Sequence, residues 1–455
     1  MVKRLLGSVP LSACWLIMAM LVCLVVPARP AVASEELWPL PAEEFRTRLK
    51  RLLEKVDQNA IALLKGAPPR NDFRPFRQYN TFFYFTGYEH PNAVLLVDGL
   101  RGKVVLYVEP RQRLRANTDR LRRQGISEVR LITQLAEGLR AAAAGAQTLY
   151  LPRFPGEGPA QARDSFRRPL RLLPAYRPRD DVAAFRHAVL ELLGEQAPQV
   201  RPLETLTDPL RRVKSQREIA LMREAARITA LAIRRAIRRT RAGILEAELA
   251  GICEATFLEH GAFGSAWTPI VASGPNMIEL HYMRNNRELQ DGDMLLLDTG
   301  PDYHYYTSDV TRCWPVSGPF PEEYAELYDK LVEVHRAGIA EVRPGKTMYD
   351  VLRAMHAKAR ELGIHRHLLP VAGHYTGMAV HDVGAPGAPF EPGVVFNVEP
   401  LLIVRSKRLH LRLEDTVLCT ADGPEVLTPL QLLPWNRDAI LAIRDEAAEV
   451  SKRSR

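Results

Sequence analysis

Four acids in the second half of the chain stand where acids are costly. Asp298 ends the apolar run Met294-Leu295-Leu296-Leu297, and Asp309 opens Asp309-Val310-Thr311-Arg312 eleven residues later. Glu399 ends Val394-Val395-Phe396-Asn397-Val398, and Glu414 lies inside Leu411-Arg412-Leu413-Glu414-Asp415. A carboxylate buried alone loses its hydration, so it must be paired or bound to a cation. Any one of these acids, taken alone, is more often a salt-bridge partner or a strand end. Four in one stretch shift the balance toward a shared cation site. A hairpin between Asp298 and Asp309 has the length to bring both carboxylates to one place.

A fifth piece is Gly373-His374-Tyr375-Thr376-Gly377-Met378-Ala379-Val380-His381-Asp382-Val383-Gly384. Glycines flanking two histidines let the backbone approach a site closely. By spacing alone the segment stays open: His-x6-His is not a helical metal pair, and a single His is more often a hydrogen-bonded core residue. Two Asp, two Glu and one His form an oxygen-rich set that suits a hard or borderline divalent ion such as Mn²⁺ and disfavours a thiolate site. Four carboxylates carry −4 and two divalent ions carry +4. Bridging carboxylates can hold such ions about 3.5–4 Å apart, lower the pKa of a water between them and polarise a substrate carbonyl.

The elements that must position these groups fall into two domains. Residues 37–65 read as a helix, with Leu37, Phe45, Leu49, Leu52, Leu53, Val56, Ile61 and Leu64 near helical period. Phe82–Phe85, Ala93–Val97 and Val104–Val108 read as short strands, with Gly99-Leu100-Arg101-Gly102 as a turn between the last two. Helical and strand-like pieces alternate from Leu121 to about Arg201, punctuated by Pro152, Pro155, Pro159, Pro169, Pro174 and Pro178. This is an α/β domain without a metal or nucleophile cluster. The texture changes at Asp208. Helices are expected over Arg217–Arg239, Leu245–His260, about 322–342 and 348–362. Strands are expected over Pro269–Ser273, Met294–Asp298, Asp309–Trp314, Val394–Val398 and Leu411–Cys419. Separate strand pairs with intervening helices imply α+β with a mixed or antiparallel sheet. Residues from Leu430 to Arg455 read as a C-terminal helix with a basic tail.

The first thirty-odd residues stand apart from this fold. Lys3 and Arg4 precede the apolar run Leu11–Val26, and Ala31-Val32-Ala33 places small residues before Ser34. This pattern is expected to be a secretory signal covering 1–33, making the protein exported. An uncleaved anchor is the second reading, although the run is short for a span of about 20 residues. Leu11-Ser12-Ala13-Cys14 also fits a loose lipoprotein box, which would split the apolar run. Removing 1–33 takes away Lys3, Arg4 and Arg29 and lowers the net charge from +9 to +6. The remaining basic excess is dispersed, without a Lys/Arg block interleaved with aromatics, so no nucleic-acid partner is expected. Cys253, Cys313 and Cys419 remain, widely spaced and odd in number. They read as buried small hydrophobes, with one bridging pair as the alternative.

The order Asp298, Asp309, His374, Glu399, Glu414 resembles that of the pita-bread metallopeptidases of family M24, which include methionine aminopeptidase, prolidase and aminopeptidase P. Matching stretches are Ala272-Ser273-Gly274-Pro275-Asn276 with His281-Tyr282, Leu297-Asp298-Thr299-Gly300 and Ser308-Asp309-Val310-Thr311-Arg312. Gly373-His374, Val380-His381-Asp382-Val383-Gly384, Val398-Glu399-Pro400 and Arg412-Leu413-Glu414-Asp415 complete the set. Phe76-Arg77-Gln78-Tyr79-Asn80-Thr81-Phe82-Phe83-Tyr84-Phe85-Thr86-Gly87 resembles the N-terminal domain of aminopeptidase P, which methionine aminopeptidases usually lack. Creatinase has both domains but not the five ligands found here. The resemblance implies a signal at 1–33, a creatinase-like α/β N-terminal domain at 34–205 and a pita-bread catalytic domain at 206–455.

It further implies that Asp298, Asp309, His374, Glu399 and Glu414 bind two divalent ions, Mn²⁺ first and Co²⁺, Zn²⁺ or Fe²⁺ as alternatives, with Asp309 and Glu414 bridging. Glu399 would also shuttle a proton. His281 and His381 would bind substrate and hydrogen-bond the scissile amide and developing oxyanion. Arg412 would organise the site. The implied reaction cuts the bond between an N-terminal residue and a following proline, with peptides carrying proline at position 2 as partners and a homo-oligomer as one assembly. A membrane partner follows only if the N-terminal segment stays uncleaved. A prolidase acting on Xaa-Pro dipeptides and a non-catalytic peptide-binding relative are the rival readings. Pro370 stands where proline-directed members often have histidine, and Leu401-Leu402-Ile403 replaces a common Gly-x-Tyr, so Arg412 lacks a tyrosine partner. No tryptophan lies between Glu109 and Gly125. These departures bear on substrate preference and assembly, and none removes a ligand.

Overall fold

The computed structural model describes residues 40–70, 75–113, 116–154, 156–160 and 181–453, with side chains to residue 446. The leader reading of 1–33, with Cys14 and Cys23, and the prolines at 155, 169, 174 and 178 lie outside the described residues. Among them, no helix is long and apolar enough to cross a membrane.

The N-terminal sheet is built from β1 (Ala60–Lys65), β2 (Val94–Asp98), β3 (Lys103–Val108), β4 (Glu128–Leu131), β5 (Thr148–Leu151) and β6 (Gln199–Pro202). Its order is β4-β3-β2-β1-β5-β6. The β1–β2 and β2–β3 pairs are antiparallel, and the β1–β5, β3–β4 and β5–β6 pairs are parallel. The turn 99–102 joins β2 to β3, with Gly102 at φ +61° supplying left-handed backbone.

Two expectations fail here. Of the helix read over 37–65, Leu37 lies outside the described residues, and among those described the helix covers Ala42–Lys55; Ile61 and Leu64 belong to β1. Ala60–Lys65 lies between β2 and β5 and is buried on both faces, so it lacks alternation and mimics helical spacing. Phe82–Phe85 is not a strand but part of the helix Asn80–Thr86. Gly87 ends it in left-handed conformation, its N–H donating to Phe83 O at 2.8 Å. Nearly every residue of that helix is buried, so its aromatics satisfy packing on all sides rather than a sheet face.

The second domain holds β7 (Ile270–Ser273), β8 (Met294–Thr299) and β9 (Val310–Pro315) as one antiparallel sheet. A second antiparallel sheet has the order β10 (Gly373–Tyr375), β11 (Val395–Val398), β14 (Asp415–Thr420), β15 (Gly423–Val426). A hairpin of β12 (Leu401–Val404) and β13 (Leu409–Arg412) completes the strands. The single strand expected over Leu411–Cys419 is thus two. The chain leaves its partner β12 after Arg412 and joins β11 at Asp415, and Glu414 sits at this change of partner, bridged to Thr311.

Helix Gln216–Arg239 starts at a capping box: Ser215 Oγ accepts from the Glu218 N–H at 3.3 Å, and the Ser215 N–H donates to Glu218 Oε2 at 2.9 Å. It packs with helix Glu246–Glu259 against β7–β9, and Glu322–Ile339 packs on β11 and β13. One apolar core runs from Ile228 to Ile443 and touches both sheets. The C-terminal helix spans Arg437–Arg453. Cys253, Cys313 and Cys419 are buried and free, so the bridging alternative is not met.

Candidate active site

The strand ladders explain how distant acids meet. On the β8–β9 hairpin Asp298 faces Thr311, and Thr311 in turn bridges Glu414. On the other sheet His374 faces Asn397, one register step from the Val398–Asp415 pair. The two sheets therefore present their acids and His374 to a common space. Asp298, Asp309, His374, Glu399, Glu414, Arg412, His281 and His381 all line one cavity of about 650 Å³. Ala160, Trp267, Ile270, Met283 and Val380 supply its apolar wall.

His374 Nε2 lies 3.4 Å from Asp309 Oδ2 and 3.3 Å from Glu414 Oε1. Among the described residues, Asp309, His374 and Glu414 form a group whose ligand atoms all fall within 4.8 Å of one another. His374 Nδ1 is 3.3 Å from Tyr375 O. With a cation bound, a proton there would leave the Nε2 lone pair facing the cluster, the usual arrangement for a metal-ligating imidazole. Arg412 Nη2 donates to Asp298 Oδ2 at 2.6 Å and Nη1 to Glu399 Oε1 at 3.1 Å. Arg412 thus ties Asp298 on β8 to Glu399 just past β11.

Sequence reasoning missed the polar residues that hold these acids. Thr311 Oγ1 donates to Glu414 Oε2 at 2.8 Å. Asn397 Nδ2 donates to Glu414 Oε1 at 3.1 Å and to Asp309 O at 2.8 Å, while its Oδ1 accepts from Thr376 Oγ1 at 2.9 Å. Behind them Arg312 is fully buried, donating to Glu414 O at 2.9 Å and Asp415 Oδ1 at 2.9 Å. The available signal was an Asn in the middle of Val394–Val398 and a Thr-Arg pair in an apolar strand, the same signal that marked the acids.

Crowding sets the protonation pattern. Burial, then the Glu414 charge, pushes Glu399 up to about 8. Burial raises Asp298, and burial with the charges of Glu414 and Asp298 raises Asp309 well above the carboxylate range. For Glu414 burial works against ionisation, but the hydrogen bond and charge of His374, then Arg412, hold it down at about 2. The His381 ring stacks on His374 at 4.0 Å and 11°, and the His374 charge, with burial, pushes it down to about 3. The metal-free cluster therefore holds protons where a divalent ion would otherwise supply the positive charge.

A pH dependence follows. A proton that the folded metal-free chain keeps and the unfolded chain releases favours folding. For Glu399 this contribution is complete below its ordinary value near 4.5 and is lost as pH rises to about 8. Glu414 has the opposite sign, and its contribution is lost only as pH falls from 4.5 toward about 2. His381, His335 and His410, held down at about 3 to 4, act the other way up to their ordinary value near 6.5, so the Tm of the metal-free chain should fall between pH 7 and pH 8, and saturating Mn²⁺ should reverse the trend. Melting curves across that range check it; a metal-free Tm that climbs steadily to pH 8 contradicts the crowded-acid arrangement.

Comparison with known proteins agrees with this geometry. A family model described as metallopeptidase family M24 matches residues 220–421, and one described as aminopeptidase P, N-terminal domain, matches 45–150. The chain is 31% identical to the mitochondrial intermediate cleaving peptidase 55 of Arabidopsis thaliana, over 87% of this chain and 82% of that protein. It is 29% identical to the Xaa-Pro aminopeptidase of Escherichia coli (strain K12), over 85% of this chain and 94% of that one. The structure of Pseudomonas aeruginosa aminopeptidase PepP superposes with a TM-score of 0.75 at 27% identity, covering 90% of this chain and 99% of that chain. The structure of E. coli aminopeptidase P with the inhibitor Pro-Leu gives the same TM-score, identity and coverage.

Proposed function

The chain belongs to metallopeptidase family M24, as a hydrolase of the aminopeptidase P kind whose N-terminal α/β domain precedes a pita-bread catalytic domain, and on that premise we propose that it removes the N-terminal residue from peptides whose second residue is proline. The supporting observation is the meeting of five ligand side chains in one cavity. Asp298 Oδ1 and Asp309 Oδ1 are buried with no hydrogen-bond partner, as expected of oxygens aimed at a cation. The donor set, four carboxylates and one imidazole nitrogen, suits Mn²⁺ first and Co²⁺, Zn²⁺ or Fe²⁺ next. Asp298, Asp309, His374, Glu399 and Glu414 would hold two such ions. Bound there, the ions supply Lewis acidity toward the substrate carbonyl and a water that ionises near neutral pH.

The chain's own residues do the rest. Arg412 fixes Asp298 and Glu399 through both guanidinium arms and offsets part of their charge. Glu399, which lines the cavity and is held by Arg412, carries the proton from the attacking water to the leaving nitrogen. His281 and His381 donate to the scissile amide and to the oxygen that gains charge. The bond before proline is a tertiary amide, which calls for accurate positioning, and Trp267, Ile270, Met283 and Val380 provide apolar walls for it. The E. coli relative with bound Pro-Leu supports a site that accepts a proline-led peptide. Export is part of the proposal and rests on the pattern of Lys3-Arg4, Leu11–Val26 and Ala31-Val32-Ala33.

The test is a peptide series offered to the Mn²⁺-loaded chain. Xaa-Pro-Xaa tripeptides should release the first residue only, and Xaa-Ala-Xaa tripeptides should be spared. Cleavage confined to Xaa-Pro dipeptides would identify a prolidase instead, and equal release from Xaa-Ala-Xaa would remove the proline requirement.

A further inference from the structure

His381 lies in a segment, 376–384, that has no regular secondary structure. No strand ladder fixes its position, although its ring stacks on His374 at 4.0 Å. The next residue, Asp382, has a side chain only 1% exposed. Arg211 Nη2 donates to Asp382 Oδ1 at 2.5 Å, and Lys214 Nζ lies 3.2 Å from Asp382 Oδ2. Arg211 Nη1 donates to Glu157 Oε2 at 2.5 Å and to Thr81 Oγ1 at 2.7 Å. Glu157 lies in the connection between β5 and β6, so this arm reaches the N-terminal sheet's domain. Two cations balance two carboxylates, and Arg211, Lys214 and Glu157 are all buried. Such a group costs desolvation and repays it only with good geometry.

Other contacts from the same side grip the segment. The Val380 N–H donates to Pro159 O at 2.8 Å, and Asn80 Nδ2 donates to Met378 O at 3.0 Å. Gly377 has no room for a side chain: a Cβ there would overlap Asp382 Oδ2 and crowd Lys214 Cε at 2.7 Å. The bare backbone at 377 is what lets the ion group close under the loop.

We infer that Glu157, Arg211 and Asp382 form an inter-domain clamp that positions His381 over the metal cluster, so the N-terminal domain contributes to turnover through this histidine. Glu157 and Arg211 are positioning residues; neither lines the cavity. The inference rests on the reading of His381 as a substrate-facing group given under Proposed function.

Glu157→Gln tests it, since the amide keeps the shape and removes the charge. With Xaa-Pro-Xaa substrate, kcat should fall about tenfold to a hundredfold, the loss typical of small misplacement, with KM within twofold and Mn²⁺ content unchanged. In a His381→Ala background, Glu157→Gln should cost nothing further. A second readout needs no turnover: in metal-free protein labelled with ¹⁵N-histidine, the His381 ring signal, assigned by its loss in His381→Ala, should shift in Glu157→Gln while the His281 signal stays. Asp382→Asn serves as the second variant if Glu157→Gln does not fold. An equal loss of kcat with and without His381, or an unmoved His381 signal, overturns the clamp. A wild-type chain inactive on Xaa-Pro-Xaa overturns the functional reading alone, and the ring signal still decides the clamp.

Discussion

Glu414→Ala is expected to lower kcat/KM on an Xaa-Pro-Xaa peptide by at least about 10³-fold, or about 4 kcal/mol of transition-state stabilisation. Glu414 is the acid with the most partners in the cluster. Its Oε1 faces His374 Nε2 at 3.3 Å and accepts from Asn397, and its Oε2 accepts from Thr311. Held at about 2, it stays ionised at any working pH and always offers its charge to a cation. Alanine removes a ligand, leaves His374 without one of its two acidic neighbours and strips Thr311 and Asn397 of an acceptor. Asp298→Ala should have an effect of the same size, because Arg412 would then hold Glu399 alone. Glu323→Ala, which removes an exposed acid paired with Lys407, is the control and should leave kcat/KM unchanged, as a surface change worth no more than about 0.5 kcal/mol. Steady-state kinetics on the three variants check this. Full activity in Glu414→Ala would mean that chemistry occurs elsewhere.

Removing divalent ions should be as damaging as removing a ligand. Dialysis against a chelator is expected to cut activity by about 10³-fold or more, since several kcal/mol of charge stabilisation leave with the ions. Mn²⁺ should restore it. The same titration should raise Tm, because an ion bound only by the folded chain at a hundred times its Kd stabilises by about 2.7 kcal/mol. Binding must displace the protons that burial and mutual repulsion load onto Glu399, Asp298 and Asp309. Affinity should therefore weaken as pH falls from 8 to 5, by about tenfold per unit for each proton displaced. Calorimetry in buffers of different ionisation enthalpy counts those protons. Affinity flat across this range would contradict a site that exchanges protons for metal.

The parts of the site that were legible in the sequence share one property: an acid set into an apolar run. Asp298, Asp309, Glu399 and Glu414 could be picked out that way because a strand face has no reason to carry a carboxylate unless something meets it. The hairpin length from Asp298 to Asp309 was enough to bring both carboxylates to one cavity, with Asp309 standing just before β9. Glu414 was read inside a single strand, because Leu411–Cys419 looks continuous while its backbone changes partner from β12 to β11. The histidines were ambiguous by spacing, and only the match of whole stretches to a known family singled them out. Ala60–Lys65 and Phe82–Phe85 misled for a common reason. A segment buried on every side loses the alternation that separates strand from helix. The clamp on His381 was invisible, since Arg211 and Asp382 are 171 residues apart and each looks like an ordinary surface charge.

The most direct measurement is anomalous diffraction from crystals of the Mn²⁺-loaded chain. Two manganese peaks should lie among Asp298, Asp309, His374, Glu399 and Glu414, and both should vanish or drop to one in Glu414→Ala. Manganese bound only outside this cluster, or the cluster left empty at saturating Mn²⁺ with the enzyme still active, would show that these five side chains do not form the metal centre.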